Sequence, residues 1–433
     1  MYSGGDPANS LEPPMPRALL LGLLGLGLLA GLAPAAYGRG GAGAVEQHLL
    51  EKGVGALRRA ESAYFAKDLA KAKRYGTEAV TLFEDVLRQA PQQRQAALLA
   101  GQAAVLAGDV EGAKRWTVRF RAMSPIGEGD ADLHYLRAFV HLLGDKRPSR
   151  ALRSLQQMYS LNARARPAAR DTLWCLALSD MGRRYLEAGK TIEAARQFSS
   201  GARVARRLGD RRKEILMLAD LGTSYLRGDR FIEASEIYAG LAKLQPRYPL
   251  WHWRLGMSLA NQNRFADAAR TYRRVIALQA EGAVVEPGHE DEIAELPMRL
   301  GNCLRHLSGA EPDAAKRAKV LDEAQKHLEA FIESRPRDAR GHKWLGVLLQ
   351  DSREQPYEAL KRLQKAFSID PMCEDILRRM IQIHTRHPAP EGTDADTWKK
   401  RLRAMEKDFK EGAERRKAEI DARKTKKGDT GCS

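Results

Sequence analysis

Apolar residues recur along most of this chain at spacings of three and four, in runs separated by short polar breaks, which predicts amphipathic helices joined as hairpins. The frame is clearest in the middle. Leu221-Gly222 is followed by Tyr225, Ala234, Tyr238 and Pro246, and a shift of 34 residues returns Leu255-Gly256, Leu259, Ala268 and Tyr272. Upstream, Met181-Gly182, Tyr185, Ala194 and Phe198 keep the same spacings, and the step of 40 to the next unit implies an extension around 206–212. Downstream, Leu300-Gly301 and Leu304 open a unit that Ala324, Leu328, Phe331 and Pro336 complete after an insertion around 309–317. Leu345-Gly346, Leu349, Ala359, Leu363, Ala366 and Pro371 make the last clear unit.

Each unit reads as two antiparallel helices. Gly182, Gly222, Gly256, Gly301 and Gly346, with Ala194, Ala234, Ala268, Ala324 and Ala359, fall where the two helices approach most closely, and Leu, Tyr and Phe fill the space beside them. Proline ends the second helix. In these residues the chain resembles the tetratricopeptide repeat family, whose pattern of Leu-Gly, Tyr, Ala, Phe and Pro recurs at this spacing. The resemblance is to its bacterial exported or envelope-associated type, and it implies an all-α, right-handed solenoid of antiparallel helix pairs. The family's tryptophan is absent from its usual place in most units, with Trp251, Trp253 and Trp344 adjacent to that place instead.

Weaker units extend the array. Ala100-Gly101, Ala104, Ala113, Phe120 and Pro125 keep the spacing, Leu136 to Met158 follows it loosely, and 45–90 supplies two more helices, so about eight helical pairs are expected from a repeat near 34 residues. The organisation expected is degenerate repeats over 45–176, clear repeats over 177–371, a terminal helix over 372–390, an amphipathic basic capping helix over 391–423 and a flexible tail over 424–433. In that capping helix Trp398, Leu402, Met405 and Phe409 form one stripe suited to covering the last repeat.

The N-terminus departs from this pattern. Residues 18–36 are uncharged and apolar, follow Arg17 and close in Ala33-Pro34-Ala35-Ala36, the form of a cleaved signal peptide, with an uncleaved membrane anchor as the alternative. A start at Met15 rather than Met1 removes Asp6 and Glu12 from the signal. A Gly-rich linker over 37–44 follows. The expected location is therefore the periplasm, free or membrane-anchored.

Charge and cysteines add little chemistry. The net charge is +17, and residues 398–433 carry 13 Lys and Arg against 7 Asp and Glu. The excess elsewhere is diffuse, which disfavours nucleic acid as a partner. Cys175, Cys303, Cys373 and Cys432 show no CxxC or other close pairing, so no zinc site or local disulfide framework is expected; an accessible Cys432 would be the one able to cross-link two chains. His384 and His387 lack a third metal ligand nearby, and the acidic run His289 to Glu292 reads as a solvated first turn of a helix beginning near Ile293. No nucleotide, hydrolase or zinc-protease motif occurs. No metal, cofactor or catalytic residue is expected, and the chain reads as a non-enzyme.

What remains is the inner wall, which the first helix of each pair lines. Arg183, Thr223, Trp253, Met257, Asn302 and Lys343 fall on it by spacing, with an apolar middle suited to a peptide bearing apolar anchors and acidic groups. The alternative reading of Trp253 and Met257 is packing against neighbouring helices. The functional expectation is a protein-interaction scaffold of the cell envelope. The alternative is a basic adaptor that holds an anionic membrane or nucleic acid through 399–427.

Overall fold

The structure, a computed structural model, describes residues 43–387 apart from 165, 166, 286, 371 and 372, together with isolated positions between 400 and 414. The apolar segment 18–36, the stripe from Trp398 to Phe409 and the tail with Cys432 lie outside the described residues. Among those described, every regular element is helical. The chain divides into two units, Met1–Leu241 and Ala242–Ser433.

In the first unit the hairpins are α1 Ala44–Phe65 with α2 Leu69–Gln89, and α3 Arg94–Leu106 with α4 Val110–Ala122. They continue with α5 Ala131–Phe139 and α6 Pro148–Leu161, α7 Pro167–Glu187 and α8 Thr191–Arg207, and α9 Arg211–Arg227 and α10 Phe231–Leu244, whose end reaches into the second unit. The second unit holds α11 Pro249–Asn261 with α12 Phe265–Ala280, a short α13 Glu290–Ile293, α14 Leu296–Ala310 with α15 Ala314–Ser334, α16 Ala339–Asp351 with α17 Pro356–Ile369, and α18 Glu374–Arg386. Among the described residues eight pairs are present, matching the expected number, and α18 packs on α17.

Local chemistry fixes the hairpin turns. A residue with positive φ stops the first helix: Gly108 and Gly189 adopt it readily, while Lys67, Asp229 and Asn263 adopt it despite their side chains. An aspartate then caps the second helix in several turns. Asp68 accepts from the Lys71 amide at 3.1 Å and Asp109 from that of Gly112 at 2.7 Å, satisfying donors that the first helical turn leaves unpaired.

Within the hairpins of the clear repeats, from α7 onward, a ring or branched side chain from the second helix lies against a glycine of the first. A Cβ on Gly182 would stand 2.6 Å from the Phe198 ring, and one on Gly256 would stand 2.5 Å from that of Tyr272. Phe198 and Tyr272 are fully buried, as are Ala194 and Ala268. Leu328 and Leu363 take the corresponding places opposite Gly301 and Gly346.

The irregular repeats have visible causes. A π-helical turn over Val140–Gly144 follows α5 and shifts the apolar register, which explains the loose pattern between Leu136 and Met158. The insertion expected around 309–317 becomes largely helix: α15 starts at Ala314, capped by Asp313, and runs for 21 residues. Substantial contacts inside each unit join helices one or two places apart in chain order. No helix among the described residues is long and apolar enough to cross a membrane.

Candidate functional site

In the second unit, α11 enters through Pro249 and places Trp253 and Met257 one turn apart, so both point towards the same side. Trp253 is only 1% exposed. Its ring lies 5.4 Å from that of Tyr272 on α12, and the Arg299 guanidinium of α14 sits 5.6 Å from its centre. Met257 is half-buried. Together with Asp291, Glu292, Glu295, Arg299 and Arg335 these two side chains line a cleft of about 490 Å³.

Ion pairs hold the walls in place. Buried Arg254 donates to Glu292 at 3.1 Å across 38 residues of chain, and Glu292 is also 3.0 Å from Nδ1 of the buried His289. Glu295 accepts from Arg299 at 2.9 Å and from Arg340 at 2.6 Å, while Arg335 donates to Asp291 at 2.7 Å. These links tie α11, α13, α14, the end of α15 and the start of α16 around one opening. Bidentate guanidinium contacts such as Arg254 to Glu292 fix orientation as well as distance.

Burial of Glu292 pushes its carboxyl up, but the hydrogen bond from His289 and the charge of Arg254 outweigh this and hold it at about 2, against 4.5 unperturbed. A carboxyl lowered on folding stabilises fully above its unfolded value, and that stabilisation is lost as pH falls towards the folded value. Acid unfolding should therefore steepen between those two values in the wild-type protein and less so in Glu292→Gln. Equal slopes in a urea series run across this pH range would contradict the assignment.

Of the residues marked by spacing along the chain, the four in the second unit do not all share the cleft. Trp253 and Met257 share the cleft. Asn302 is half-buried and accepts from Arg305 at 3.2 Å, and Lys343 pairs with Asp375 of α18 at 2.7 Å while lying 5.3 Å from the centre of the Trp344 ring. Arg183 and Thr223 belong to the first unit. There Arg183 is exposed and donates to Ser179 at 2.8 Å, and Thr223 donates to the Ala219 carbonyl at 2.9 Å and lies 3.1 Å from the Tyr238 hydroxyl.

Sequence reasoning missed Arg254, Glu295, Arg299 and Arg335, and it read Glu292 as solvated. Glu295 and Arg299 carry a local signal, an acid four residues before a base on one helix face. Arg254 and Glu292 carry none, because only the fold brings them together. Burial pushes Cys175 and Cys303 up to about 12, which suppresses thiolate chemistry at both. No group of three or more His, Cys, Asp or Glu among the described residues is arranged to hold a metal.

A family model described as tetratricopeptide repeat matches residues 219–283, which run from α9 to just past α12. No curated protein matches the chain. Among solved structures the chain is similar to one from the APC/C hetero-tetramer Cut9–Hcn1, at 15% identity and a TM-score of 0.38, over 78% of this chain and 58% of that one. It therefore spans little more than half of that relative. YrrB, a TPR protein with an unusual peptide-binding site, is 16% identical with a TM-score of 0.36, over 52% of this chain and 96% of its own. Yeast Tom70 is 14% identical with a TM-score of 0.36, over 84% of this chain and 69% of its own.

Proposed function

We propose that this chain, whose residues 219–283 match a tetratricopeptide repeat model, is a protein-interaction scaffold that holds segments of partner proteins in the cleft lined by Trp253 and Met257. The supporting observation is the combination in one opening of an aromatic floor, an adaptable methionine and walls cross-linked by ion pairs. Such a site is organised before the partner arrives, which lowers the ordering cost of binding. Methionine repacks around different apolar groups, as a docking surface requires. The role is non-catalytic: the chain brings other proteins together and leaves chemistry to them.

Met257→Glu tests this reading. It adds a carboxylate beside Asp291, Glu292 and Glu295 without disturbing the buried ring, and should weaken partner binding about tenfold or more through like-charge repulsion and lost apolar contact. Quantitative co-purification of the full-length protein from its native cells, with and without the substitution, provides the measurement. Partners retained equally by both forms would remove the cleft from consideration.

We further propose that the scaffold works in the cell envelope, a placement supported by the uncharged run over 18–36 and the small residues that close it. Sequencing the N-terminus of the mature protein tests this directly. A first residue shortly after Ala36 is expected, and an intact N-terminus on protein confined to the cytoplasm would defeat the placement.

A further inference from the structure

Among the described residues, two polar groups at or next to the cleft have no hydrogen-bond partner. They are Nε1 of Trp253 and the hydroxyl of Tyr272, both in fully buried side chains. A buried donor left unpaired costs about 1–3 kcal/mol, so such groups are rare unless something supplies the missing partner.

The preceding repeat shows what is different here. Tyr238 occupies the place of Tyr272 a repeat earlier, and its hydroxyl is engaged by Thr223 at 3.1 Å and by the Ala219 carbonyl at 3.4 Å. Thirty-four residues on, Met257 stands in place of Thr223 and Trp253 in place of Ala219. The change removes the partner of one donor and adds a second donor. It also builds the cleft, because these two substituted residues line it.

The chemistry of the walls narrows the missing partner. Burial pushes the Tyr272 phenol up, so it stays protonated, and indole Nε1 can only donate. Both groups ask for an acceptor. The lining carboxylates Asp291, Glu292 and Glu295 are each matched by an arginine, so the opening carries no uncompensated cation to offset the desolvation of an incoming carboxylate. These carboxylates can still accept further hydrogen bonds from a neutral donor. A group with a carbonyl oxygen for the deep donors and N–H bonds for the rim acceptors is a primary carboxamide.

We propose that the cleft receives an asparagine or glutamine side chain from the partner segment, its oxygen directed to the Tyr272 hydroxyl and Trp253 Nε1 and its NH2 to the acidic rim. Met257, unbranched and half-buried, moves aside to admit it. This rests on the reading of the cleft as a docking site and names the side chain that it selects.

The test uses the full-length protein and fluorescent peptides with common apolar flanks and Gln, Asn, Glu, Leu or Lys at the centre, titrated by anisotropy. The Gln or Asn peptide should bind about tenfold tighter than its Leu counterpart, the upper end of what one or two satisfied hydrogen bonds supply. Tyr272→Phe should narrow that gap, since it removes one of the two donors. It should also leave the urea midpoint of the free protein unchanged or raise it, whereas Tyr238→Phe, which deletes an engaged hydroxyl, lowers it. Peptides that bind without preference for the amide, a preference for Glu, or a preference undiminished in Tyr272→Phe would each overturn the proposal and leave the docking site standing. A Tyr272→Phe midpoint lowered as far as that of Tyr238→Phe would overturn it too, by revealing an internal water or protein partner on the hydroxyl. A panel in which no peptide binds would overturn the docking reading itself.

Discussion

Trp253→Ala is expected to destabilise the second unit by about 3–5 kcal/mol, the usual cost of emptying a fully buried large aromatic site. The ring packs on Tyr272, Arg299 lies over it, and almost none of it reaches solvent. Its removal leaves a cavity at the junction of α11, α12 and α14. Hydrogen exchange followed by mass spectrometry should show lost protection in those three helices, and the urea transition of the full-length protein should broaden or split. A loss under about 1 kcal/mol would mean that the indole is not part of the core. The consequence for binding studies is direct. A docking defect in Trp253→Ala reports damaged structure, so Met257→Glu and Tyr272→Phe are the informative substitutions.

A second large effect is expected in the first unit, at Asp171 on α7. The side chains of Arg170 and Asp171 are each 5% exposed; the Arg170 Nε donates to Asp171 at 2.9 Å, and the Arg207 Nε donates to the other carboxylate oxygen at 3.1 Å. Asp171→Ala strands the Arg170 guanidinium in the protein interior, where it still donates to the Ala163 carbonyl and has the Tyr159 ring 4.9 Å away. Breaking a buried pair from one side costs about 3–5 kcal/mol, most of it from the charge left behind. The double substitution Asp171→Ala with Arg170→Met should recover much of this loss, since it removes the stranded charge as well. Urea midpoints for the wild type, both single variants and the double variant measure the coupling. Additive losses would show that the pair is not energetically linked.

The two sites differ in how far they could be read from the chain. Glycine and alanine positions such as Gly256 and Ala268 were legible because a close approach between helices excludes larger side chains at every repeat, and repetition multiplies the signal. The turns were legible for a similar reason, being built from a few residues in contact with one another. Trp253 was legible as a position but not as an environment, because spacing places a side chain on a helix face without saying whether Arg299 will cover it. Of the network around Glu292, only the pair Glu295 and Arg299 left a trace in the sequence. The members of that network come from α11, α13, α14, α15 and α16, and charged residues on separate helices have no common period. The interruption after α5 shows the opposite limit, where one extra residue in a helical turn blurred a repeat that the fold preserves.

The restriction of substantial helix contacts to near neighbours along the chain has a kinetic consequence. Closing a short loop costs little entropy, and topologies built from such closures have low contact order, so each unit should fold quickly for its size. Any hairpin can serve as the nucleus, with order spreading outward by stepwise docking of the next. During synthesis, the early hairpins could begin to consolidate while later ones are still being translated. A precursor bound for passage through a threading channel would have to be kept from doing so.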